Sequence, residues 1–81
     1  MRLDKYLKVA RLIKRREVAK EMIDRGMVSI NSKVAKPSNE IKVDDIVIIT
    51  SPSGNTIKVK IKEVKEFSRA NEASNMYEVI E

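Results

Sequence analysis

Residues 14–30, KRREVAKEMIDRGMVSI, hold a change of period. From Lys14 to Arg25, Val18, Ala19, Met22 and Ile23 fall on one stripe at helical spacing. Glu21 and Arg25 add a supportive i,i+4 pair. Gly26 is the expected stop, because glycine takes the left-handed conformation after a helix without steric cost. Beyond it Val28, Ile30 and Val34 read as a short hairpin around Asn31-Ser32-Lys33. A helix therefore hands over directly to antiparallel strands.

Upstream, Leu3, Tyr6, Leu7 and Ala10 follow i, i+3, i+4, i+7, which predicts a first helix over 2–10. Leu12 and Ile13 break that period and predict a bend between two helices. Downstream, Pro37-Ser38 marks a loop, and Ile41 and Val43 lead into a turn at Asp44-Asp45. The β-branched run Ile46–Ile49 predicts a buried strand. Ser51–Asn55 is a turn cluster, and Ile57–Lys62 alternates as a half-buried strand. Residues 66–75 read as a loop, and Met76–Ile80 as a closing strand. The order predicts an α+β domain, with two N-terminal helices packed on a small antiparallel sheet. Residues 1–50 form its first part and 51–81 a C-terminal β extension on the same domain.

The 81 residues suffice for one small core. Cysteine and histidine are both absent, which removes disulfides, the commonest neutral-pH general base and the commonest metal ligand. With only Gly26 and Gly54, no glycine-rich phosphate loop exists. The expectation is a non-catalytic protein without cofactor or metal. The N-terminal segment lacks a signal-peptide core and no apolar run is long enough for a span, so a cytoplasmic, membrane-free monomer is expected.

Charge is distributed unevenly. Residues 1–16 carry seven of the 17 Lys and Arg against one acid, a net of +6, while residues 17–81 carry ten bases and eleven acids. A charge run is ordinarily a solvated helix face, but such faces mix signs to form stabilising i,i+4 pairs. Here Arg16 and Lys20 stand at i,i+4, and Lys5, Lys8 and Arg11 at successive i+3 steps, all of like sign. Their repulsion is relieved by a polyanion. Lys58, Lys60 and Lys62 read instead as lysines that blunt a sheet edge, and Asp44-Asp45 as a turn, having too few oxygens for a cation. Tyr6 belongs with Leu3 and Leu7 in the core. A DNA-binding regulator with a helix-turn-helix-like basic pair is the alternative, although there the second helix would concentrate the base-reading side chains.

Arg2-Leu3-Asp4-Lys5-Tyr6-Leu7, Ile13-Lys14-Arg15-Arg16, Ala19, Gly26-Met27-Val28, Ile30-Asn31 and Lys36-Pro37-Ser38 together resemble the S4 RNA-binding domain. Glu72-Ala73-Ser74-Asn75-Met76-Tyr77 resembles its small single-domain, ribosome-associated branch. The resemblance implies the αL RNA-binding motif, in which RNA docks on the helix pair and the adjacent hairpin. Carried over by position, it implies contacts at Arg2, Asp4, Lys5, Lys8, Arg11, Lys14, Arg15, Arg16 and Lys20, with Asn31, Lys33 and Lys36 from the hairpin. Asp4 is expected to orient a neighbouring arginine. The implied partners are the RNA of the large ribosomal subunit, a peptidyl-tRNA and a nascent-chain tailing factor, in quality control of stalled chains. Two positions depart from the family pattern: Ser32 and Asp44 stand where glycine is common, and positive φ is expected at both turns.

Overall fold

Leu3, Tyr6, Leu7 and Ala10 are all buried, so the first apolar stripe is the inner face of helix α1 (Leu3–Val9). The computed structural model describes residues 1–80. Helix α1 ends in a Schellman motif: the Arg11 amide donates to Lys8 O at 3.0 Å and the Leu12 amide to Leu7 O at 3.0 Å. The residue that turns the chain is Arg11, at φ 59°. Leu7 O also accepts the Ile13 amide at 3.1 Å, which holds the chain in the bend. Arg15 is extended, so helix α2 spans Arg16–Asp24 and starts two residues later than its stripe predicts.

Ala19 and Ile23 are buried on α2, whereas Val18 is 41% exposed and Met22 only half-buried. The helix therefore buries a narrower stripe than expected. Its end repeats the Schellman pattern, with Gly26 at φ 77° donating to Ile23 O at 2.9 Å and Met27 donating to Met22 O at 3.0 Å.

Five antiparallel strands follow: β1 (Val28–Ile30), β2 (Lys33–Val34), β3 (Ile46–Thr50), β4 (Thr56–Ile61) and β5 (Tyr77–Ile80), in the sheet order β2-β1-β3-β4-β5. Register places Ile30, Val47 and Val59 in one cross-strand row, continued at the sheet's edge by the exposed Val79, and Val28, Ile49 and Ile57 in another on the same face. That face carries the sheet's share of the core, joined by Ile61 and Met76. Each fully buried aliphatic side chain contributes about 1.5–3 kcal/mol relative to exposure.

Strand β4 lies between β3 and β5, which corrects the edge reading of its lysines. Lys60 reaches Asp44 at 3.6 Å, and Lys62, just past the strand, reaches Glu78 at 3.5 Å. The loop expected over 66–75 contains a short 3-10 turn at Ala73–Asn75. Among the described residues, no helix is long and apolar enough to cross a membrane.

Both glycine-deficient turns take the expected left-handed backbone. Asn31 and Ser32 have φ 50° and 72°, the pattern of a type I′ hairpin turn, and Asp44 has φ 79°. Asp45 is buried and ties the two turns together. Its Oδ1 accepts from Asn31 Nδ2 at 3.1 Å and its Oδ2 accepts from the Lys42 amide at 2.9 Å.

Candidate nucleic-acid interface

The basic residues of the helix pair form a continuous band organised by one carboxylate. Asp4 is buried at the start of α1, where its Oδ1 accepts the Lys5 amide at 2.8 Å. Arg2 Nη2 donates to its Oδ2 at 3.2 Å, and Arg16 Nη2, from α2, donates to its Oδ1 at 3.5 Å. Both arginines remain about half exposed. Asp4 thus holds two half-exposed guanidinium groups at the helix junction, where a contact with one neighbouring arginine was expected.

From this junction the band runs in two directions. Arg2, Arg16 and Lys20 line one hollow of about 380 Å³ with Asp4 and Glu17. Arg16 also lines a second hollow, of about 320 Å³, with Lys5, Lys8 and Arg11. Lys8 and Arg11 continue into a third, of about 370 Å³, with Lys14. Lys8, Arg11, Lys14, Arg15 and Lys20 are exposed, and among the described residues none of them has a carboxylate partner.

The positive face is not wholly unpaired, however. Lys5 forms an ion pair with Glu66, from the loop after β4. The Lys5 ammonium holds the Glu66 carboxyl below its usual range, first through the hydrogen bond and then through the charge itself. Separations of 61 residues are invisible to a local charge count.

The hairpin residues occupy a separate hollow of about 510 Å³, where Asn31, Lys33 and Lys36 meet Asn39, Glu40 and Lys42. Asn31 spends much of its amide on the fold, since its Oδ1 also accepts the Ile46 amide at 2.9 Å. Lys33 and Lys36 are exposed and lack a carboxylate partner among the described residues. Sequence reasoning missed Lys42, whose place beside them depends on the Asp44-Asp45 turn. It also missed Glu66, Phe67 and Ser68, which line the second hollow.

Two short helices and an antiparallel sheet, with a basic band across the helix junction, define an S4-type domain. The S4 domain family matches residues 1–47, and the chain belongs to that family. Over its full length it is similar to the RQC P-site tRNA stabilizing factors of Streptococcus pneumoniae and Bacillus subtilis. They are 48% and 44% identical to it, over 99% of this chain and 90% and 92% of theirs. Heat shock protein 15 of Escherichia coli is 39% identical over 96% of this chain and 59% of its own. Among solved structures, the trimeric Vibrio cholerae heat shock protein 15 superposes with a TM-score of 0.89 at 30% identity, over 99% of this chain and 81% of that one. The solution structure of HP1423 gives 0.83 at 26% identity, over 100% of this chain and 98% of that one.

Proposed function

We propose that this protein is a non-catalytic RNA binder that holds a peptidyl-tRNA against the RNA of the large ribosomal subunit during quality control of stalled nascent chains. The observation that carries the reading is a set of five exposed cations, Lys8, Arg11, Lys14, Arg15 and Lys20, that have no carboxylate partner among the described residues and flank two arginines held by Asp4. Phosphate contacts of this kind position a protein on folded RNA, and shape supplies the selectivity. The planar forks of Arg2 and Arg16 suit phosphate oxygens and already have their orientation set before binding. Full-length similarity to P-site tRNA stabilizing factors supports the choice of tRNA and ribosome. In this reading the protein works as a monomer in the cytoplasm, beside a factor that tails the nascent chain.

The double variant Arg15→Glu/Lys20→Glu tests the proposal, because both side chains are exposed and neither holds the fold together. It is expected to keep its helical circular dichroism and lose co-sedimentation with purified large subunits. A folded variant that co-sediments like the parent overturns the reading. Duplex DNA competing as well as ribosomal RNA would favour the DNA-regulator alternative.

A further inference from the structure

The segment between β4 and β5 runs along α1 and is fastened there at two points. Glu66 pairs with Lys5. Two residues on, Ser68 Oγ donates to Val9 O at 2.6 Å, while Ser68 O accepts from Arg11 Nη2 at 3.3 Å. Phe67 lies between these anchors. It is the only phenylalanine of the chain and is 79% exposed.

A single exposed apolar side chain is ordinary. Phe67 differs in its surroundings, because its neighbours on both sides are pinned to the basic band. Phe67 lines the hollow formed by Lys5, Lys8, Arg11 and Arg16 with Glu66, and a second one of about 600 Å³ where Lys65 and Arg69 stand beside Glu66 and Glu72, so the cations concentrate on the α1 side of the ring. A protein partner that buried this ring would want an apolar rim, and the rim here is charged. The ligand chemistry that satisfies both features has anionic groups for the cations and a flat π-face for the ring. An unpaired nucleotide within an RNA strand carries both.

We propose that Phe67 is a stacking platform for an unpaired nucleobase, with the adjoining phosphates taken by Lys8 and Arg11. The proposal rests on the RNA-binding reading above and adds to it a subsite outside the helix pair and hairpin. Ser68 keeps the platform in place through Val9 O and Arg11, so the loop needs no ordering when RNA arrives.

The chain has no tryptophan, so Phe67→Trp introduces a single indole reporter at the site. Titration uses an oligoadenylate about ten nucleotides long, within the span of strand lengths such surfaces engage, and an abasic strand of equal length. Oligoadenylate is expected to quench the indole, and the abasic strand to leave it nearly unchanged. Phe67→Ala is expected to bind oligoadenylate roughly five- to a hundredfold more weakly, the loss of one stacked base. Its affinity for the abasic strand should stay at the parent value. Equal quenching by both strands, an unchanged Phe67→Ala affinity, or an equal loss on both strands each overturns base stacking. Arg15→Glu/Lys20→Glu separates the two levels. If it weakens both strands while Phe67→Ala weakens neither, stacking falls and the RNA reading stands. If the parent protein binds neither strand nor subunits, both fall.

Discussion

Tyr6 is fully buried, and its hydroxyl donates to Met76 O at 2.8 Å, linking the first helix to the residue that precedes the last strand. The core stripe of α1 made its burial legible, but the partner of its hydroxyl was not, since the two residues lie 70 positions apart. Burial pushes the phenol far above its ordinary value, and the nearby Tyr77 and Glu63 add to the effect. The folded state therefore keeps its proton in a range where the unfolded chain, with an ordinary tyrosine near pH 10, has released it. Stability from this group is complete below about pH 10 and falls above it by up to about 1.4 kcal/mol per pH unit. Tyr6→Phe removes that dependence and one hydrogen bond to Met76 O, which still accepts from the Lys62 amide at 2.8 Å and the Glu63 amide at 3.1 Å. The expected outcome is a loss of about 0.5–1.5 kcal/mol at neutral pH, with a flatter decline between about pH 10 and 11 than the parent shows. Urea denaturation across that range measures both. A variant that keeps the parent's alkaline slope contradicts the assignment. Asp4 gives the complementary lesson: a contact with one neighbouring arginine was foreseeable from the resemblance, whereas its grip on two arginines from different segments needed the fold.

At the scale of elements, the two helices end in the same hydrogen-bond pattern with different residues at the turning position. Gly26 announces the end of α2 in the sequence, because its left-handed backbone is unstrained. Arg11 announces nothing, and only the broken period at Leu12-Ile13 hints that α1 has stopped. A non-glycine residue in this conformation costs roughly 1–2 kcal/mol. The cost is borne at a position whose guanidinium borders two of the basic hollows, so the backbone strain falls on the proposed RNA surface. Arg11→Gly is expected to raise folding stability by about 0.5–1 kcal/mol, after the greater freedom of glycine in the unfolded chain is subtracted. It is also expected to weaken RNA binding. Thermal denaturation and filter binding should therefore move in opposite directions; a variant that gains in both, or loses in both, contradicts the argument. The Asn31-Ser32 and Asp44 turns show how far local chemistry carries: positive φ was readable from their departure from glycine. The interior place of β4 was not, because alternation along a strand does not say which neighbours it has.

For the whole molecule, the net charge of +6 in residues 1–16 was plain in the sequence and correctly located a basic surface on the helix pair. A charge count could not say which cations remain available. The fold removes Lys5 from the set through Glu66, and it divides Asp4 between Arg2 and Arg16. Five cations without a carboxylate partner among the described residues remain on the band, and each phosphate they neutralise releases counterions. Contacts by these five alone give log affinity a slope of about −3.5 to −4.5 against log salt, from about 0.7–0.9 per phosphate contact, and each phosphate taken by Arg2 or Arg16 steepens it by the same increment. Glu66→Gln probes the bookkeeping directly, since it removes a carboxylate that is largely exposed and frees Lys5 for phosphate. The slope should steepen by about 0.7–0.9 and affinity at low salt should rise. Fluorescence anisotropy of labelled tRNA over a salt series reads both quantities. An unchanged slope would mean that Lys5 faces no phosphate, and would restrict the RNA to the Arg11–Lys14 side of the band and the arginines held by Asp4.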